Sequence, residues 1–256
     1  MNTLNADSTA AVLAKVPAIT LAFWVVKVFA TTLGETGGDA VSMSMNLGYL
    51  TATGIFALIF FAAVAAQIAA KRYHPALYWT TIIATTTVGT TLADFADRSL
   101  GIGYAGGTSI LLALLLASLA LWYRVQGSVA VDTVNSPRTE MFYWVTIMFS
   151  QTLGTALGDW TADTAGLGYS GGALVFSALL GLVVAAYYRT RISRVALFWA
   201  AFILTRPLGA VVGDFLDKPV AAGGLELSRY AASLVLLGLI VGMLWLFPQK
   251  AASRAH

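Results

Sequence analysis

"TLGETGGD", residues 32–39, decides how this chain is read. It sets two carboxylates, Glu35 and Asp39, among glycines at the end of an apolar run that begins near Pro17. Related octets stand at 87–94 (TVGTTLAD), 152–159 (TLGTALGD) and 207–214 (PLGAVVGD). A wider register surrounds them without a gap. Trp24, Trp79, Trp144 and Trp199 each follow an aromatic residue, and a glycine comes ten residues later: Gly34, Gly89, Gly154 and Gly209. Five residues on stand Asp39, Asp94, Asp159 and Asp214, and nine beyond those Gly48, Gly103, Gly168 and Gly223. Agreement at this many fixed offsets marks an internal repeat. The tryptophans are spaced by 55, 65 and 55 residues, so the units group as two halves of two.

The composition selects the solvent. Apolar residues make up 58% of the 256 and charged residues 11%, with a mean hydropathy of +0.78. A soluble domain carries about 25% charged residues. Apolar stretches of about twenty residues, the length that spans a bilayer as helix, recur throughout. Eight helices are expected, near 18–40, 50–70, 76–96, 106–124, 140–161, 171–189, 195–216 and 228–247. Ten Lys or Arg residues lie in the head, the tail and the connections after every second helix, while the opposite connections hold only Arg98, Lys218 and Arg229. The positive-inside rule then sets both termini in the cytoplasm. The start does not read as a cleaved signal peptide.

The chain is thus read as an all-α polytopic membrane protein of about eight transmembrane helices, built from four parallel two-helix repeats. Its expected divisions are a cytoplasmic segment at 1–16, a first half at 17–125, a cytoplasmic connection at 126–139, a second half at 140–247 and a cytoplasmic tail at 248–256. Parallel repeats are related by an axis along the membrane normal. The odd helices carry the polar motifs and are expected to line that axis. Even helices such as SILLALLLASLALWY (109–123) are nearly pure hydrocarbon and are expected to face lipid or act as buttresses. The four tryptophans are expected at the cytoplasmic interface, and Tyr49, Tyr104 and Tyr169 at the opposite one.

Eight of the twelve acidic residues belong to the motifs: Glu35, Asp39, Asp94, Asp97, Asp159, Asp163, Asp214 and Asp217. A carboxylate in a span faces a bundle interior or water, and is by default a site. Clustered carboxylates with Thr and Ser hydroxyls nearby are hard ligands for Mg²⁺, Ca²⁺ or Mn²⁺, and crowding raises carboxylate pKa values so that a proton can compete. The plainer reading is that aspartates at helix ends cap and turn the chain beside glycine. Lys27 and Arg206 lie inside spans as counter-charges; each can neutralise an inward acid as a buried ion pair, and Arg206 can equally be a fixed charge that empties the site. Cysteine is absent and histidine is limited to His74 and His256, which excludes disulfides and thiolate sites and speaks against a histidine-rich metal centre.

The FW…LGxxxxD…GY pattern, carried over nearly the whole chain, resembles a bacterial family of uncharacterised membrane-anchored proteins with repeated transmembrane hairpins. That resemblance implies the inner (plasma) membrane and carries no functional residue. GETGGD is also similar to the acidic ExGD motif of Mn²⁺ or Ca²⁺ exporters, but its spacing differs and only one repeat has the glutamate. The leading expectation is a secondary transporter of a divalent metal cation, Mn²⁺ or Mg²⁺, coupled to protons, with no P-loop in the chain to power a pump. A cation channel, a non-transport membrane enzyme and a structural protein stay open as alternatives. The expected partners are the lipid bilayer, the cation and protons. Enzymatic activity, a resident cofactor and nucleic-acid binding are not expected, and oligomerisation is unconstrained.

Overall fold

In a computed structural model of the chain, residues 14–252 are described. Most of the expected 1–16 segment and the last four residues of the 248–256 tail lie outside the described residues. The described residues form eight long helices: α1 (Leu21–Asp39), α2 (Tyr49–Ala69), α3 (Pro75–Asp94), α4 (Tyr104–Gln126), α5 (Pro137–Asp159), α6 (Gly168–Arg189), α7 (Arg194–Asp217) and α8 (Arg229–Leu246). Their starts follow local chemistry. Thr20 accepts from the Phe23 N–H, and Ser136 forms a capping box with Thr139 ahead of Pro137. Pro75 opens α3, where its missing N–H costs nothing.

The odd helices pack in a closed ring: α1 touches α3 and α7, and α5 touches α3 and α7. The even helices form an outer layer, with an unexpected pairing. Each seats chiefly on the odd helix of the next repeat: α2 on α3, α4 on α5, α6 on α7 and α8 on α1. The sequence unit is therefore not a packed hairpin. Each outer helix is handed on around the ring, and α8 closes it on α1. The repeat glycines allow the close approach. A Cβ on Gly34 would collide with Thr86, on Gly154 with Arg206, and on Gly209 with Thr31, while one on Gly89 would crowd the backbone at Gln151 and Thr152. The residue three before the next glycine is part of the obstacle each time, joined at Gly89 by Thr152.

After the ring aspartate, three repeats widen into a π-helical turn, at Ala40–Ser44, Phe95–Ser99 and Trp160–Thr164. The fourth does not, because Pro219 stands where the others have Ser44, Ser99 and Thr164 and has no N–H to give back to the helix. All four turns then reach a glycine with positive φ: Gly48 at 75°, Gly103 at 73°, Gly168 at 65° and Gly223 at 88°. That backbone requirement accounts for the register glycine nine residues beyond the aspartate.

Five helices, α2, α4, α6, α7 and α8, are long and apolar enough to cross a membrane. Helices α1, α3 and α5 are of similar length but carry threonines, glycines and acids on the ring face. Large apolar side chains of the outer layer are exposed, among them Leu58, Leu174 and Leu234.

The tryptophans depart from their expected place. Trp79, Trp144 and Trp199 are buried and Trp24 is half-buried. They pack edge-on with Phe23, Tyr78, Tyr143 and Phe198 inside the main apolar core. The outer layer encloses the starts of the odd helices, so these rings meet protein instead of an interface. At the same end, residues 14–18 hydrogen-bond to 250–252, and Lys15 is buried against Glu140 at 2.6 Å.

Candidate functional site

Four-residue steps along the odd helices place one residue from each repeat at the same level. The level of Phe23, Tyr78, Tyr143 and Phe198 is followed by Lys27, Ile82, Ile147 and Phe202. Thr31, Thr86, Gln151 and Arg206 come next, then Glu35, Thr90, Thr155 and Ala210, and last the ring aspartates Asp39, Asp94, Asp159 and Asp214. Apart from Phe198, all of these residues are buried. The column changes from aromatic at one end to anionic at the other.

Arg206 occupies the axis. Its Nη2 donates to Glu35 Oε2 at 2.9 Å, to Thr90 Oγ1 at 2.7 Å and to Thr155 Oγ1. These are the same repeat position in the three other repeats, and the fourth member is Ala210. One guanidinium thus ties together all three partners that the other repeats offer at that level. Burial of such a pair is tolerated only when it is well hydrogen-bonded.

The aspartate level is charged and cross-linked. Arg98 reaches Asp94 at 3.0 Å and Asp159 at 3.2 Å. Lys218 reaches Asp214 at 3.0 Å and also pairs with Asp39. Arg229 holds Asp217 at 3.1 Å and approaches Asp39 at 3.8 Å. Arg98 and Lys218 both stand four residues after a ring aspartate, where Met43 and Asp163 stand in the other repeats. The fourfold column therefore becomes twofold at its charged end: repeats two and four each supply a cation that bridges to the aspartate of the next repeat.

Six of the eight predicted acids share this end. Carboxylate oxygens of Glu35, Asp39 and Asp94 lie within 4.8 Å of one another, as do those of Asp39, Asp214 and Asp217. Asp159 joins through Arg98. Asp163 does not join: it is exposed in the π-helical turn. Asp97 does not join either. It is buried against Gly107 of α4, with no hydrogen-bond partner for its oxygens among the described residues. Burial raises its pKa to about 6, against the opposing pull of Arg98.

Lys27 also departs from its expected role. It pairs with no acid among the described residues, and its Nζ lies 3.7 Å from the centroid of the Phe202 ring. Most of the threonines expected to offer oxygens instead bond back to their own helix, as Thr32 does to Val28 O and Thr87 to Ile83 O. The cations Arg98, Lys218 and Arg229 were missed as site members because they sit in the connections or, for Arg229, at the first residue of α8. The signal for Arg98 and Lys218 was the four-residue offset from an aspartate, a spacing that faces two side chains on one helix; Arg229 has no such offset.

This architecture defines an all-α, repeat-built helical bundle with several helices able to cross a membrane and a charged column on its pseudo-fourfold axis. Four successive segments, 22–73, 77–128, 142–193 and 197–250, match the family model described as Repeat of Unknown Function (DUF347), and the chain belongs to that family. The matches begin at the same point of each unit found from the tryptophan register. No curated protein and no solved structure matches the chain.

Proposed function

We propose that this protein is a secondary transporter that moves a divalent metal cation, Mn²⁺ or Mg²⁺, across a bilayer in exchange for protons. All eight helices cross in this reading. Helices α1, α3 and α5 tolerate their polar faces because the ring hides them from lipid, and both termini lie in the cytoplasm. The observation that carries the proposal is the pair of carboxylate triads that share Asp39. Oxygen-only ligands at this density suit hard divalent ions. The count of groups supports it: six carboxyls, Glu35, Asp39, Asp94, Asp159, Asp214 and Asp217, face four cations, Arg98, Arg206, Lys218 and Arg229, which leaves two carboxyls in formal excess. Lys218 and Arg98 then act as tethered cations that the metal must displace. Arg206 closes the axis below the site, an arrangement that favours a carrier over an open channel.

One observation favours a non-transport reading. Each ring aspartate already has a Lys or Arg partner, so the ring also serves as a cross-link between helices.

Reconstituted proteoliposomes decide between these. The expected result is saturable Mn²⁺ or Mg²⁺ flux with opposite proton movement, abolished by Asp39→Asn and by Asp159→Asn in protein that remains folded. Flux that follows voltage without proton movement would replace the carrier with a channel. A chain that neither moves nor is stabilised by either metal would leave the cross-linking role.

A further inference from the structure

Deeper on the axis lies a second group of polar side chains that the carboxylate site does not use. Lys27 Nζ, both amide atoms of Gln151, Thr86 Oγ1, and Nε and Nη1 of Arg206 are buried and have no hydrogen-bond partner among the described residues. All belong to two adjacent levels of the column. Lys27 lies over Phe202, one turn before Arg206 on α7. Gln151 holds on α5 the repeat position that Arg206 holds on α7, three residues before the Gly154 against which Arg206 packs.

Buried polar groups are almost always satisfied, and each exception calls for a water or an ion. Donors outnumber acceptors in this group. Lys27 and Arg206 only donate hydrogen bonds and the Gln151 NH₂ offers two more donors, while the acceptors are the Gln151 amide oxygen and the Thr86 hydroxyl. No acid pairs with Lys27 among the described residues, and Glu35, one level beyond Arg206, is held by Arg206. A lone buried charge costs several kcal/mol or more, so a lysine here keeps its proton only where an anion offsets that cost. The internal repeat sharpens the point. The counterparts of Lys27 are Ile82, Ile147 and Phe202, and those of Gln151 and Arg206 are Thr31 and Thr86. These two levels leave the common pattern at Lys27, Gln151 and Arg206, and each departure adds N–H donors to the same short stretch of axis.

We propose that Lys27, Gln151 and Arg206 bind a small monovalent inorganic anion, a halide, on the axis below Glu35. The anion takes donors from Lys27 Nζ, the Gln151 amide and the Nε and Nη1 side of Arg206, while Nη2 stays with Glu35, Thr90 and Thr155. Its single charge balances Lys27. Ile82, Ile147 and Phe202, the other members of the Lys27 level, are buried and apolar and add no donors for the further oxygens of sulfate or an organic acid. This site goes beyond the cation reading and does not depend on it: loss of metal transport would leave it standing.

The test is thermal unfolding of the purified full chain in detergent, in sodium chloride, bromide, sulfate and gluconate at equal ionic strength. The expected result is a midpoint several degrees higher in chloride and bromide than in gluconate, saturating with halide concentration as ligand linkage requires. Sulfate stabilises proteins through exclusion from their surface, so a halide effect larger than that of sulfate points to a site. Lys27→Met should remove the halide dependence, and Gln151→Leu should weaken halide binding several-fold. Anomalous diffraction from bromide-soaked crystals should place a peak beside Lys27 Nζ. Equal midpoints of the unaltered chain in chloride and gluconate would overturn the proposal, even if neither variant folds. A halide dependence that survives Lys27→Met would also overturn it, assigning the effect to another place on the protein.

Discussion

Repeats two and four differ from repeats one and three at a single helical turn, and that turn sets the symmetry of the charged end. In repeats two and four the ring aspartate is followed at three residues by Asp97 or Asp217, and at four by Arg98 or Lys218. Repeats one and three carry Ser42 and Met43, and Ala162 and Asp163, at those places. Repeats two and four thus give cations, and repeats one and three receive them at Asp159 and Asp39. A fourfold backbone carries a twofold pattern of charge. Arg206 breaks even that symmetry, since no other repeat has a charge at its level.

The contrast ranks the effects of substitution. Arg206 is fully buried and central, so Arg206→Met should be the most damaging. It leaves Glu35 buried without its cation, and breaking one side of a buried pair costs about 3–5 kcal/mol. Chemical unfolding in detergent should record that loss, and Glu35→Gln added to Arg206→Met should recover part of it. A double variant no better than Arg206→Met would mean that the guanidinium acts mainly by packing against Gly154. The bridging cations come next. Each holds two carboxylates, and a hydrogen bond to a charged group contributes about 1.5–3 kcal/mol. Lys218 has 11% of its side chain exposed and Arg98 has 30%. Solvent screening weakens the more exposed pair, so Lys218→Met should lower stability more than Arg98→Met. The reverse order would break the twofold equivalence drawn between them.

Much of this was written in the sequence, because a repeat places equivalent residues at equivalent levels once the inner helices are recognised. The glycine and aspartate register led directly to the ring, and the polar odd helices to its lining. The hidden part depends on which helix each outer helix touches. A chain order of α1, α2 suggests a packed hairpin, and only the lateral offset of the ring hands α2 to α3. The tryptophans misled for a related reason. An aromatic residue at a helix start looks alike whether it meets lipid or an enclosing neighbour. Asp163 and Asp97 follow the ring aspartate at the spacings of Lys218 and Asp217, but spacing alone does not set where a short acid ends up: in the π-helical turns Asp163 is exposed and Asp97 lies against α4.

The smallest predicted effect separates repeat two from repeat four. Asp97 and Asp217 hold the same repeat position, but Asp217 has Arg229 at 3.1 Å, and the oxygens of Asp97 have no hydrogen-bond partner among the described residues. Burial, opposed by Arg98, moves the Asp97 pKa from 3.8 to about 6. The folded chain then holds this proton more tightly than the unfolded chain, so stability falls as pH rises from about 4 to about 6 and stays lower above that. Asp97→Asn, which keeps the shape of the protonated acid, should match the unaltered protein at the acid end of this window and exceed it modestly at pH about 8. Asp217→Asn also removes a buried carboxylate, but one held by Arg229, so its effect at that higher pH should be the less favourable of the two. Melting curves of both variants at the two pH values test the comparison directly. If Asp97→Asn is destabilising at the higher pH, the Asp97 carboxylate is an ionised, paired member of the charged end, and repeats two and four are alike there after all.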